Sequence, residues 1–124
     1  MVNQQGLRAS KLEPLAGCNA LSVDVEDYYQ VEAFSDVVRP ADWPQWESRV
    51  ERNTERLLEI FAESGVRGTF FTLGWVAERH PSLVRAIAAG GHEVACHGYA
   101  HQLIYRQSPE VFRDDIRQWW SGRD

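Results

Sequence analysis

The chain has 124 residues, a formal net charge of −5, 44% hydrophobic residues and 25% charged residues, which is the balance of an ordinary globular domain. This length allows a real core in one domain, or in part of one, but not in two. Because the charge is negative and no basic stripe is present, the composition argues against binding to a nucleic-acid backbone.

The sequence shows no targeting or membrane signal. Its longest apolar runs, such as residues 86–89, are far too short to cross a bilayer, and residues 1–8 lack the apolar core of a secretory leader. We therefore expect a cytoplasmic location. The two cysteines, Cys18 and Cys96, are too few for a disulfide framework and are expected to be reduced, with Cys96 a small core residue rather than a ligand.

The first third of the chain contains one strand pattern and one long loop. Residues 1–19 are polar and without period, so we expect a flexible lead-in, followed by the folded part over residues 20–124. Residues 20–25 form a short β-prone run that ends on acidic residues. The loop after it is broken by prolines and carries aromatic residues that either pack over a core or contact a ligand. These aromatic residues are Tyr28, Tyr29, Phe34, Trp43 and Trp46.

The rest of the chain alternates between helical and strand patterns. An apolar stripe predicts a helix from about Ser48 to Ser64, with Gly65 as its stop. Aromatic and β-branched residues predict a strand over residues 68–73, ended by Gly74. The remaining predicted elements are a helix over residues 81–89, a strand over residues 92–96, and a helix that opens at residues 108–110 and runs to Trp119 or Trp120.

This β-α-β-α-β-α order predicts an α/β fold with a parallel sheet and right-handed crossovers. In such sheets the chemistry gathers at the carboxyl ends of the strands. The acidic residues 24–27 end the first predicted strand and His97 ends the third. The two groups are therefore expected at the same edge of the sheet. His92 starts the third strand, at the opposite end, and is expected to be structural.

His97 and His101 are four residues apart, so that two imidazoles would face one point from a single helical turn. A carboxylate from residues 24–27 would complete a three-ligand site for a divalent metal with an open position. Each signal is weak alone, because two solvated histidines or turn-forming aspartates are the common explanations. Together they favour a metal site, and a metal with an open position activates water, so we expect a metal-dependent hydrolase.

The chain resembles polysaccharide deacetylases of the NodB-homology type, carbohydrate esterase family four, from about residue 20 to residue 118. The segments that carry the resemblance are Leu-Ser-Val-Asp-Val-Glu-Asp (21–27), Gly-Thr-Phe-Phe-Thr-Leu-Gly (68–74) and Gly-Gly-His-Glu-Val-Ala-Cys-His-Gly-Tyr-Ala-His (90–101). Residues 24–31 and 53–58 are similar to the subgroup associated with exosortase and bacterial exopolysaccharide loci.

The resemblance implies a distorted seven-stranded (β/α) barrel, of which this chain would hold about three β-α units, and a divalent metal such as zinc or cobalt. It implies removal of N-acetyl groups from amino sugars of a polysaccharide or lipid-linked oligosaccharide. By position, Asp24 would be the general base, and His97 and His101 would be metal ligands. The third ligand would be Glu26 or Asp27. Strand alternation puts Asp24 and Glu26 on one side and favours Glu26, while Asp27 could reach by loop geometry.

Other features that the resemblance implies cannot be assigned here, namely a base-orienting arginine, a backbone donor for the oxyanion and a later histidine as general acid. We therefore expect a truncated, N-terminal part of the domain with little activity of its own. An uncovered barrel edge is expected to favour self-association. The alternative is a catalytically incomplete remnant that binds metal or glycan, and a weaker one is a hydrolase of non-sugar amides.

Overall fold

The computed structural model describes residues 18–121, so nearly all of the predicted lead-in lies outside the described part. Within this part three strands form one parallel sheet, and their order in the sheet is their order along the chain. The strands are β1 (Ser22–Val25), β2 (Thr69–Thr72) and β3 (Glu93–Cys96). The predicted α/β class, the three strands and their parallel pairing are confirmed.

Four α-helices accompany the sheet: α1 (Val50–Ser64), α2 (Gly74–Arg79), α3 (Pro81–Ala89) and α4 (Pro109–Ser121). The patterns predicted α1, α3 and α4, and Gly65 ends α1 in the left-handed conformation with φ 65°. They missed α2, whose first four residues are all buried and therefore show no polar face. None of the helices within residues 18–121 has the length and apolar character needed to span a membrane.

The loop between β1 and α1 is built from three short 3₁₀ helices rather than irregular chain. They are Tyr28–Gln30, Glu32–Phe34 and Pro40–Gln45. Two of the loop's aromatic residues, Tyr29 and Trp43, are 2% and 3% exposed, and Trp43 meets Trp75 edge to face at 5.3 Å. This loop therefore packs over the core through part of its aromatic residues.

The strand register brings the three carboxyl ends to one level. Val25 lies opposite Thr72, and Thr72 lies opposite Cys96. The ladder continues one step further, because the His97 N–H donates to the Thr72 carbonyl at 3.3 Å. Glu26 and His97, the residues that follow β1 and β3, consequently leave the sheet at the same edge, as the sequence predicted.

Candidate metal centre

The segment from His97 to His101 is a loop, and the expectation of a single helical turn was wrong. Gly98 has φ 72° and His101 has φ 55°, so the chain leaves the right-handed helical region twice. The carbonyls of Gly98 and Tyr99 accept the N–H groups of Gly74 and Trp75 at 2.9 and 3.0 Å. These two carbonyls therefore accept hydrogen bonds from the first residues of α2 and do not form the i to i+4 bonds of a helical turn.

This loop still brings both imidazoles to the carboxylate of Glu26. His101 Nε2 lies 3.1 Å from Glu26 Oε2, and His97 Nε2 lies 3.4 Å from the same oxygen. The side chains of Glu26, His97 and His101 are 14%, 25% and 19% exposed. One ligand atom from each residue falls within 4.8 Å of the others. The structure thus assembles a three-residue cluster from two strand ends and one loop.

Two atoms of this cluster show that it fits a cation. Glu26 Oε2 and His97 Nε2 are buried and have no hydrogen-bond partner of acceptable geometry. Buried polar atoms are normally satisfied, and a cation between these two atoms would satisfy both. Two imidazole nitrogens and one carboxylate oxygen are the donor set of catalytic zinc sites, which keep a fourth position open. Glu26, His97 and His101 are therefore a candidate site for a divalent transition metal.

Two carboxylates, Glu26 within the cluster and Asp24 at its rim, act on the charge of His97. The close polar contact with Glu26 raises the pKa of the His97 imidazole above its usual value, against the opposing effect of burial. The nearby charge of Asp24 acts in the same direction. The negative potential that favours a proton on His97 also favours a divalent cation at this position.

Asp27, unlike Glu26, has both carboxylate oxygens in hydrogen bonds to other parts of the fold. Its Oδ1 accepts the Arg49 N–H at 2.8 Å, and its Oδ2 accepts the hydroxyl groups of Ser48 at 2.7 Å and Tyr29 at 3.3 Å. The residue is 2% exposed and holds the chain at the start of α1. Since both oxygens are engaged there, the structure places Glu26 with the histidines and does not support Asp27 as the third ligand.

Asp24 lies at the rim of the cluster rather than within it. Its Oδ2 is 3.9 Å from His97 Nε2, and its side chain is 55% exposed. It is not among the residues whose ligand atoms converge. A carboxylate that is close to the cluster, solvated and not needed as a ligand is free to hold water and accept a proton. The role of Asp24 as a base stays a prediction.

The other residues singled out in the sequence lie away from the cluster. His92 Nδ1 accepts the Gly68 N–H at 3.2 Å, and its ring packs on Phe70 at 4.9 Å, which is a structural role as predicted. Of the aromatic residues in the β1–α1 loop, Tyr29 and Trp43 are buried and pack over the core, whereas Tyr28 is 38% exposed.

The sequence patterns did not single out Asp115. This residue lies on α4 and binds the loop of residues 97–101, called the histidine loop below. Its Oδ2 accepts the Tyr99 N–H at 3.0 Å, across 16 residues of sequence. On the same helix, the Trp119 indole donates to the Thr72 carbonyl at 2.6 Å. Asp115 belongs to an ordinary polar helix face, so no local signal marks it as a positioning residue.

The fold and the cluster together define an α/β protein with a candidate divalent-metal site at the carboxyl edge of a parallel sheet. Residues 42–119, more than half of the chain, match the polysaccharide deacetylase family. The chain belongs to this family.

The relatives that it resembles are glycan deacetylases. A chitooligosaccharide deacetylase from Rhizobium leguminosarum is 38% identical over 65 residues, covering 52% of this chain and 30% of the relative. A peptidoglycan-N-acetylglucosamine deacetylase from Bacillus cereus is 33% identical over 63 residues, covering 51% of this chain and 23% of the relative. The chain thus spans less than a third of the length of either relative.

A solved structure confirms the fold over most of the chain. A protein from Mycobacterium smegmatis, assigned to the polysaccharide deacetylases, superimposes with a TM-score of 0.65 at 30% identity. The match covers 83% of this chain and 37% of that protein. The three strands and their helices are therefore part of a deacetylase barrel.

Proposed function

We propose that this chain carries the metal and base residues of a hydrolase that removes N-acetyl groups from amino sugars of a polysaccharide. The observation that carries the proposal is the convergence of Glu26, His97 and His101, with Asp24 3.9 Å from His97 at the rim. The names of the two relatives, which act on chitooligosaccharide and peptidoglycan N-acetylglucosamine, support an N-acetylated glycan as the substrate.

The chemistry requires a good nucleophile and a polarised amide. A divalent cation such as zinc, held by Glu26, His97 and His101, would acidify water and polarise the acetamide carbonyl. The exposed carboxylate of Asp24 would hold the attacking water and accept its proton, a contribution typically worth about 10²–10⁴-fold in rate. The partial burial of the three ligands keeps their geometry fixed and strengthens their electrostatic effect.

We place the substrate more narrowly in an exopolysaccharide, made or modified by this activity. The support is the similarity of residues 24–31 and 53–58 to the subgroup associated with exosortase and exopolysaccharide loci. The native metal is proposed to be zinc on the basis of the donor set, with cobalt able to take the same position.

The first experiment measures metal binding and turnover in matched variants. The chain is loaded with zinc or cobalt, and bound metal is compared with that of the His97→Ala, His101→Ala double variant and of Asp24→Asn. Acetate release from N-acetylglucosamine oligomers is measured for the same variants in a version completed to the length of its relatives, because the 124-residue chain is expected to have little activity of its own. We expect about one metal ion per chain in the wild type and in Asp24→Asn, and none in the double variant.

The outcomes separate the two roles. Retention of metal in Asp24→Asn with loss of most of the turnover supports a base, because the substitution removes proton acceptance and spares the ligands. Equal metal loss and activity loss in Asp24→Asn would move Asp24 into the ligand set. Metal binding by the wild type with no acetate release favours the alternative of a catalytically incomplete remnant. Equal metal content in wild type and double variant contradicts the site itself.

A further inference from the structure

The second histidine of the metal cluster has a backbone conformation that needs support from its surroundings. His101 has φ 55°, in the left-handed region that residues other than glycine rarely adopt. Such a conformation persists only where the surrounding structure holds it. The contacts of the histidine loop therefore determine whether His101 Nε2 stays 3.1 Å from Glu26 Oε2.

One of these contacts comes from α4. Asp115 Oδ2 accepts the Tyr99 N–H at 3.0 Å, two residues before His101. The same oxygen would lie 3.1 Å from a Cβ on Gly98, so the carboxylate lies directly against the loop backbone. A hydrogen bond to an ionised carboxylate is stronger than one between neutral groups. Asp115 thus fixes the backbone of the loop between its two histidines.

The next turn of α4 holds the other end of the loop. The Thr72 carbonyl accepts both the His97 N–H, at 3.3 Å, and the Trp119 indole N–H, at 2.6 Å. Asp115 and Trp119 are four residues apart and therefore lie on one face of the helix. Trp119 is the one buried residue of α4. The face that docks α4 onto the fold is consequently the face that contacts the histidine loop.

The start of α2 packs into the same place. A Cβ on Gly74 would lie 3.2 Å from the Cα atoms of both Tyr99 and Trp119. The backbones of α2, the histidine loop and α4 therefore meet around one glycine. A shift of α4 would be transmitted to the loop at this point, because close-packed backbones do not move independently.

The remaining space between the loop and α4 is a groove. Its volume is about 510 Å³, and its wall includes both histidines from the loop and Phe112 and Ile116 from α4. Because side chains do not fill this groove, the loop and the helix are linked through a limited set of contacts. The Asp115 hydrogen bond is one of them.

We propose that Asp115 is a positioning residue for the metal, and that the docking of α4 and the binding of the metal stabilise each other. Asp115 is not among the residues whose ligand atoms converge, so it acts through the loop that carries His101. The inference rests on the metal site of the proposed function and adds a residue from a separate helix. Since coupling is reciprocal, the factor by which docked α4 raises zinc affinity is the factor by which zinc favours docking.

The test uses the full chain and two measurements of the metal. Zinc affinity is measured by competition with a chromophoric chelator, and the visible spectrum of the cobalt-loaded protein reports the coordination geometry. Asp115→Ala should weaken zinc binding by about tenfold, the lower end of the range for residues that orient metal ligands, and should change the cobalt spectrum. Asp115→Asn keeps an oxygen that accepts the Tyr99 N–H and should restore most of the affinity and the spectrum.

Two control variants separate positioning from charge and from stability. Asp114→Ala removes a carboxylate from the next position of α4, where the side chain is 77% exposed and lies 3.7 Å from Arg117. This variant changes net charge and helix propensity as Asp115→Ala does and should leave both measurements unchanged. Gly65→Ala should destabilise the fold at the end of α1 without changing the cobalt spectrum.

Amide hydrogen exchange of the wild type gives a further measurement, which stands even if Asp115→Ala does not fold. Zinc should slow exchange at residues 115–119 of α4 severalfold more than at residues 58–62 of α1, which report general stabilisation of the fold.

The inference is overturned if wild type and Asp115→Ala bind zinc equally, or if Asp115→Asn loses as much affinity as Asp115→Ala. Equal slowing of exchange in α1 and α4 would overturn it as well. Each of these results with zinc bound to the wild type leaves the proposed function standing. Failure of the wild type to bind zinc would remove the metal site of the proposed function and this inference with it.

Discussion

Glu26 and Asp27 are adjacent carboxylates with separate environments. Glu26 has a buried oxygen that lacks a hydrogen-bond partner and faces two imidazoles. Asp27 has both oxygens engaged by the segment that starts α1. A carboxylate that already accepts a backbone N–H and two hydroxyl groups is held in place and serves the fold. Of these two adjacent carboxylates, Glu26 therefore belongs to the metal cluster and Asp27 stabilises the start of α1.

This division predicts opposite phenotypes for a matched pair of variants. Asp27→Ala leaves the Arg49 N–H and the Ser48 hydroxyl without their acceptor, so the free energy of unfolding should fall by about 1–3 kcal/mol, with zinc affinity of the folded protein retained. Glu26→Ala should abolish tight zinc binding and cost less stability, because it removes a buried atom that has no hydrogen-bond partner. Urea denaturation and zinc titration of both variants measure the two quantities. Zinc loss in Asp27→Ala at full stability would reverse the assignment.

At the scale of elements, the histidine loop depends on one glycine. Gly98 has φ 72°, and a Cβ at this position would lie 3.1 Å from Asp115 Oδ2, the atom that accepts the Tyr99 N–H. Gly65 has a similar φ of 65°, and its Cβ would meet nothing within 4 Å. The two glycines share the same backbone requirement, but only Gly98 adjoins the metal cluster.

Alanine substitutions at Gly65 and Gly98 separate the cost of the left-handed backbone, which both share, from an effect on zinc binding, which only Gly98 should show. Gly65→Ala and Gly98→Ala should each lower the free energy of unfolding by roughly 1–2 kcal/mol, the cost of a left-handed alanine. Gly98→Ala should in addition weaken zinc binding at least several-fold, because the shifted Asp115 contact displaces the chain that carries His101. Calorimetry of zinc binding on both variants is the measurement. Equal zinc affinities would mean that the loop tolerates the change.

The sequence patterns predicted most of the elements because their signals are local. The apolar stripe of α1 and its glycine stop, and the proline that opens α3, are read from neighbouring residues. The short helix α2 was not predicted, because its first four residues are all buried and it therefore lacks an amphipathic pattern. The spacing of His97 and His101 predicted a helical turn, whereas residues 97–101 form a loop. Spacing alone does not show that the carbonyls of this loop accept hydrogen bonds from the start of α2.

For the whole molecule, the sheet ends within the described part at β3, which pairs only with β2 there. Beside the carboxyl end of β3 lies a groove that includes Ile104 and Tyr105, which are 64% and 80% exposed. An open strand edge next to exposed apolar side chains favours association between chains. Self-association of this chain stays a prediction, and the structure indicates the edge of β3 and the adjoining groove as the surface involved.

Sedimentation velocity of the full chain over a range of concentrations tests this prediction. We expect reversible association that weakens in the Ile104→Ser, Tyr105→Ser double variant, because the substitutions remove apolar surface from the groove. Val37→Ser is the control, since Val37 is 76% exposed and lies outside this groove. A monodisperse monomer at all concentrations, or equal weakening by the control, would contradict the prediction.

The sequence by itself determined the α/β order, the parallel sheet and the edge at which the acidic residues and His97 meet. These follow from apolar periodicity and from the rule that parallel strands end on one side. Tertiary structure alone decided that Glu26 rather than Asp27 joins the histidines, because the partners of Asp27 lie at Ser48 and Arg49. It also decided that the second histidine arrives on a loop held by Asp115. Local patterns encode backbone periods, whereas the orientation of a side chain depends on partners that are distant along the chain.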